Sequence, residues 1–231
     1  MTHSSLWSRG AAPKPGPRPA YTLDQLADAC VRRADAGGLR AVSMRGVADE
    51  LGTAAASLYR YVDGKDDLIA LMVDRVAAEY EYPELTGDVR ADVLALAHQS
   101  RALHRRHPWL VAATPSSMGP NSVRYLDRMA GTLAQSGLDA GAVMMGVAML
   151  SGWGANFAAR ESAGLSTGDL GGALAASAGD PARDYPNLTA LFGAPSGMSA
   201  PVDNDAVFAA GVDALLFGIL PRTSSALRQA K

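Results

Sequence analysis

Apolar residues return at helical spacing from Leu23 onward: Leu23, Leu26, Ala27, Cys30, Val31 and Ala34 share one face. Thr22 stands ahead of them as the N-cap. Gln25 is placed to complete a capping box, and Tyr21 and Leu26 to form a hydrophobic staple. Ala36-Gly37-Gly38 ends the pattern, since glycine accepts the left-handed stop. A shorter pattern runs from Met44 to Leu51, with Ser43 as N-cap, Val47, Ala48 and Leu51 inward, and Gly52 as the break. A third helix is predicted over about 54–61, with Leu58 inward and Val62 completing the contact. Two short helices joined by a tight glycine turn make a helix-turn-helix pattern.

A long helix over about 65–81 comes next, with Leu68, Leu71, Met72, Val73 and Val76 apolar. Asp63 is its candidate cap, Asp66 and Asp67 suit the positive helix start, and Pro83 closes it. Helical patterns then fit about 87–106, 109–116, 120–136, 139–161 and 204–220. No stretch alternates as a strand would. The expected class is all-α: an arm at 1–20, a helix-turn-helix domain at 21–67 and a larger helical body at 68–231. Residues 162–186 are rich in Gly, Ala and Ser. They are expected to be a mobile segment, either a lid over a cavity or a plain connection.

Composition narrows the function. With 231 residues, 48% hydrophobic and 19% charged, the chain can bury a core and is not disordered. A net charge of −2 supplies no global positive field, so nucleic-acid contact needs a local patch. The arm carries Arg9, Lys14 and Arg18 and no acid, and could follow phosphates or enter a minor groove. Cys30 is the sole cysteine and the N-terminus has no apolar signal region, so a cytoplasmic setting is expected. Residues 140–159 are uncharged and of membrane-spanning length. Their glycines, Ser151 and Asn156 fit a helix buried on most sides better, and no membrane is expected. There is no P-loop or H-E-x-x-H, so neither catalysis nor a cofactor is expected. His104 and His107 could share a helix face, but no carboxylate or cysteine at ligand spacing completes a metal set. A solvated or capping role is expected for both.

The stretch "TAAASLYRYVDGK", residues 53–65, carries the chemistry. A recognition helix enters the major groove by its N-terminal residues, and small side chains let the backbone approach. Thr53 and Ser57 can hydrogen-bond bases or phosphates, Ala55 or Ala56 can touch a thymine methyl, and Ala54 keeps the front clear. Tyr59 and Tyr61 carry hydroxyls that can reach phosphates, Arg60 adds charge, and Ser43 and Arg45 stand at the start of the preceding helix. Lys65 lies in the first turn of a helix, where a cation opposes the macrodipole. A DNA phosphate bound at that helix start would account for it.

Residues 22–72 closely resemble the DNA-binding domain of the tetracycline repressor (TetR) family in "VSMRGVADELG", "ASLYRYV" and "GKDDL". The resemblance implies that Arg45 meets a base or phosphate, that Ala55 and Ser57 face the groove, and that Tyr59, Tyr61 and Lys65 meet phosphates. "RRHPWLV" at 105–111, "LAQSGLDAGAVMMGVAML" at 133–150 and "FAAGVDALLFGI" at 208–219 resemble the body of the tetracycline-repressor branch. That implies a homodimer closed by a four-helix bundle, on a palindromic double-stranded DNA operator. The expected dimer face comprises Trp153, Phe157, Phe208, Gly211, Val212, Leu215 and Leu216. The positions that hold a metal-chelated tetracycline fall on Ala113 and Arg160, which cannot ligate a cation. A magnesium–tetracycline effector is therefore not implied.

A body of this kind implies a small-molecule pocket between helices. Candidate lining residues are Met72, Val76, Tyr80, Gln99, Leu103, Met118, Met129, Met144, Val147, Ser151 and Trp153, each of which could equally be core filling. The methionines suit an adaptable pocket, and the expected effector is hydrophobic or aromatic. The leading reading is a ligand-released repressor; an activator or a regulator triggered by a protein partner would share this fold.

Overall fold

The computed structural model describes residues 6–9, 20–164, 176, 179–192 and 203–220. Among the described residues every regular element is helical. The N-terminal unit contains α1 (Leu6–Arg9), α2 (Leu23–Gly37), α3 (Met44–Leu51) and α4 (Ala55–Leu58), and α5 (Lys65–Ala77) leads into the body. The body holds α6 (Val89–Arg106), α7 (Pro120–Ala134), α8 (Ala140–Ser162), α9 (Pro181–Asp184), α10 (Pro186–Phe192) and α11 (Asn204–Ile219).

Local chemistry sets the early boundaries. The Thr22 hydroxyl accepts from the Gln25 amide at 3.1 Å, and the Gln25 side chain accepts from the Thr22 amide at 2.9 Å. That reciprocal pair removes two of the unpaired donors at the start of α2. Ser43 caps α3 by accepting from the Gly46 amide at 3.1 Å. The cap of α5 differs from the expectation. Gly64 holds the N-cap position without a side-chain bond, and Asp67 reaches back to accept from the Asp63 amide at 2.8 Å.

Three stretches depart from the sequence reading. Leu6–Arg9 is a helical turn rather than flexible arm: Leu6 is buried in the N-terminal core, and the Trp7 indole donates to Ser117 at 3.2 Å. Lys14 and Arg18 lie outside the described residues. Helix α5 ends at Ala77 and not near 81. There the Tyr80 ring stacks on Tyr125 at 4.4 Å, and the Gln99 amide pairs with both the N–H and the carbonyl of Glu81, at 2.7 and 3.0 Å. Contacts 18 or more residues away satisfy backbone groups that would otherwise have continued the helix. Over 109–116 the chain forms a 3-10 turn, Pro108–Ala112, instead of an α-helix. Within 162–186, Pro181–Asp184 and the start of Pro186–Phe192 are helical, and most of the proposed lid lies outside the described residues.

Two hydrophobic cores result. The first gathers Leu26, Cys30, Val47, Leu58, Val62, Leu68 and Met72, and takes in Leu103 and Trp109 from the body. Burial pushes the Cys30 thiol up to about 12, so it is a packing group at neutral pH. The second core lies among α6, α7, α8 and α11, around Met129, Leu133, Leu150, Phe208 and Val212. Polar ties join the two units. Asp35, at the end of α2, accepts from the Trp109 indole and lies against His107 Nδ1, both at 2.7 Å. His107 is thus buried and paired, not solvated, at the C-cap of α6. Arg75 pairs with Asp28 at 2.7 Å.

Helix α8 is long and apolar enough to cross a membrane, and it packs against α6, α7 and α11. Within the single chain only 33% of its apolar window is buried, less than the sequence suggested. Arg101 fixes its far end. The buried guanidinium bonds Glu161 at 2.5 and 2.8 Å and Asp205 at 2.7 Å, and lies 4.9 Å from the Phe157 and Phe208 ring centres. Its hydrogen bonds hold the Glu161 carboxyl below the usual range.

Candidate nucleic-acid interface and inter-helix cavity

Gly52 makes the turn between α3 and α4. Its φ of 66° is the left-handed conformation that non-glycine residues adopt at a cost. The Thr53 amide then bonds Ala48 O at 2.9 Å, closing the turn, and α4 begins two residues later. Helix α4 is shorter than predicted: it spans Ala55–Leu58, and 59–61 continue as a turn bonded back to Ser57 and Leu58. Ala54, at its N-cap, has no side-chain oxygen to cap the first amides, although its carbonyl accepts from the Ser57 amide at 2.9 Å.

The expected DNA-facing residues occupy this surface unequally. Ser43, Arg45, Ala54, Ala56, Arg60 and Lys65 are exposed, and Tyr59 is 59% exposed. Thr53 and Ser57 are half-buried. Ala55 packs against the first core, which leaves Ala54 and Ala56 as the outward alanines. The Tyr61 hydroxyl accepts from the Tyr21 amide at 3.1 Å, so it braces the start of α2 while its own proton stays available to an acceptor. Lys65 Nζ donates to Leu39 O at 3.2 Å, which ties the start of α5 to the turn ahead of α3.

Behind this surface, α5 forms one wall of a cavity of about 180 Å³. Val73, Val76, Ala77 and Tyr80 line it from α5, and Leu103 and His104 from α6. Leu110 and Ala113 come from the 3-10 turn and its exit, Met118 from the following loop, and Ser122, Tyr125 and Leu126 from α7. No lining residue is Asp, Glu, Lys or Arg. The Tyr125 hydroxyl lies 3.3 Å from Ser151 Oγ. Burial raises the pKa of the Tyr80 and Tyr125 phenols, and both stay protonated at neutral pH.

Of the residues expected at a pocket, Val76, Tyr80, Leu103 and Met118 line this cavity. The others sit elsewhere, for stated reasons. Met72 is sealed in the first core, and Met129 and Val147 in the second. Gln99 clamps Glu81, and Ser151 lies behind Tyr125 as its hydroxyl partner. Met144 is exposed on α8, and the Trp153 indole donates to Phe208 O at 3.2 Å. Val73, Ala77, His104, Leu110, Ala113, Ser122, Tyr125 and Leu126 were missed, because only the docking of α6, α7 and the 3-10 turn on α5 turns them toward one space. For His104, Ser122 and Tyr125 the available signal was polar or aromatic character on otherwise apolar faces; the aliphatic members carried none.

Most of the residues expected at a dimer face lie inside the single chain. Phe157, Phe208, Val212 and Leu216 are buried inside the subunit, and Leu215 packs against the same core. Gly211 lies under Trp153, where an added Cβ would come within 2.1 Å of the ring. The exposed large apolar residues of these helices are Met144, Met145 and Met149 on α8 and Phe217, 73% exposed, on α11.

Residues 26–72 match the profile described as bacterial regulatory proteins, tetR family, and residues 82–222 match the tetracyclin repressor-like C-terminal domain. The chain belongs to the TetR family. It is a DNA-binding transcriptional regulator. It is similar to the HTH-type transcriptional repressor DrrR1 of Streptomyces coeruleorubidus, 41% identical over 64% of this chain. That match spans 56% of the repressor's length. An HTH-type transcriptional regulator of Saccharopolyspora erythraea is 32% identical over 78% of each chain. Among solved structures, ActR of Streptomyces coelicolor in complex with (S)-DNPA superposes with a TM-score of 0.72 at 30% identity, covering 89% of this chain and 98% of that one. The ActR complex with actinorhodin gives a TM-score of 0.72 at 29% identity, covering 90% and 99%.

Proposed function

We propose that the protein is a cytoplasmic homodimeric repressor that holds a palindromic DNA operator and releases it when a hydrophobic small molecule enters the cavity. One observation carries this reading: α5 walls the cavity through Val73, Val76, Ala77 and Tyr80 and begins at Lys65, beside α4. A ligand that shifts α5 moves the reading head with it. Ligand and DNA then favour different spacings of the two heads, and each weakens the other's binding by linkage. ActR, solved with two ligands, supports a small-molecule effector in a body of this shape.

In this reading Arg45, Thr53, Ala54, Ser57, Tyr59 and Arg60 face DNA, and Lys65 exchanges Leu39 O for a phosphate. The test is a mobility-shift titration against operators selected from random DNA, at several salt concentrations. Lys65→Ala should weaken binding to all sequences alike and lower the salt slope by about one unit. Loss confined to one operator would contradict the phosphate role, and failure to select any sequence would overturn the repressor reading.

A further inference from the structure

His104 has a defined proton arrangement. Its Nδ1 lies 2.9 Å from the Ser100 carbonyl. A carbonyl only accepts, so Nδ1 carries the hydrogen. Burial holds the ring's pKa below its usual value, so at neutral pH the imidazole is uncharged and Nε2 presents a lone pair. Among the described residues Nε2 has no hydrogen-bond partner, and the side chain lines the cavity.

The other lining groups complete the specification. The Tyr125 hydroxyl lies 3.3 Å from Ser151 Oγ, and the Tyr80 and Tyr125 rings stack at 4.4 Å and 26°, so these residues offer ring surface. With no charged side chain in the lining, a carboxylate or ammonium would enter without a partner and lose its hydration. The cavity therefore combines aromatic and aliphatic walls with the Ser122 hydroxyl, which can donate or accept, and with Nε2 of His104, which can only accept.

We infer that the effector is an uncharged aromatic compound bearing a hydroxyl or N–H group, which donates its hydrogen to Nε2 of His104. The inference rests on the cavity being the effector site, and makes His104 the residue that selects among apolar ligands. A ligand of the same shape without the donor leaves the acceptor buried and unpaired, the kind of mismatch by which polar sites discriminate.

The test compares 2-naphthol with 2-methoxynaphthalene, which differ in the donor, by titration calorimetry on the full chain. 2-Naphthoate serves as the charged control. Wild-type protein should bind the naphthol roughly 3- to 10-fold more tightly than the ether, the worth of one neutral hydrogen bond. His104→Phe should abolish that preference while still binding the ether. His104→Gln, whose amide oxygen can accept, should keep part of it. The naphthoate should bind no better than the ether. Equal affinity for naphthol and ether on wild type, or a preference that survives His104→Phe, overturns the inference. Ala113→Phe, which fills the cavity, separates the two failures. If it abolishes binding while His104→Phe leaves the preference intact, only the donor inference falls. If naphthol binds Ala113→Phe as well as wild type, or does not bind wild type at all, the effector-cavity reading falls with it.

Discussion

Asp74 is buried on α5, and its carboxylate accepts from the Ser122 amide at 2.8 Å and from the Asn121 side chain at 3.0 Å. One helix thereby caps another: Ser122 is in the first turn of α7, whose own N-cap, Gly119, has no side-chain bond. Asp74→Ala would leave that part-buried amide without its partner and should cost about 1–3 kcal/mol in urea unfolding, with Asp74→Asn closer to wild type. His104 makes a pH prediction. Its folded pKa lies below the usual 6.5, so between the two values the unfolded chain binds more protons. The stability from neutral His104 is complete above about 6.5 and is lost as pH falls through that window. Glu161 acts lower on the scale. Arg101 holds its carboxyl below 4.5, so its contribution is present above that value and lost as pH falls through the folded pKa. Urea midpoints of His104→Gln against pH should lose the upper leg and keep the lower one.

At the scale of elements, the reading unit depends on a turn more than on helix length. Helix α4 has four residues and no side-chain cap, so its direction comes from Gly52, the Thr53–Ala48 bond and the burial of Leu58 and Val62. Gly52→Val should lower stability by at least about 1 kcal/mol, the cost of a left-handed β-branched residue. Thermal unfolding and operator binding measured on the same preparation should both fall. The start of α2, the cap of α3 and the Gly52 turn were legible in the sequence because the groups that make them lie within a few residues. The exit of α5 was not: Tyr125 and Gln99 decide it, from α7 and α6. The same holds for Leu6 and Trp7, which look like arm residues until Ser117 and the first core are beside them.

At the scale of the molecule, Met144, Met145, Met149 and Phe217 leave an apolar surface on α8 and α11. In the homodimer proposed above, this surface is the one offered as the subunit contact. Met145→Glu together with Met149→Glu should yield a folded monomer by light scattering, with helical circular dichroism retained and operator affinity lost. A dimer of unchanged mass would place the interface elsewhere. The polar ties of Asp35 to His107 and Trp109, and of Asp74 to Ser122, lie outside the surfaces proposed for DNA and for the partner.

By itself the sequence determined the helical class, the helix-turn-helix and its caps, the family, and the two kinds of residue at 53–65, small then bulky. Those features rest on spacing along the chain and on bonds between near neighbours. Tertiary structure decided which apolar residues become core, cavity wall or open surface. Periodicity marks a face as apolar without saying what covers it. Helix packing put Phe208 and Val212 inside, drew Val76, Tyr80, Leu103 and Met118 around one space, and left Met145 and Phe217 outside.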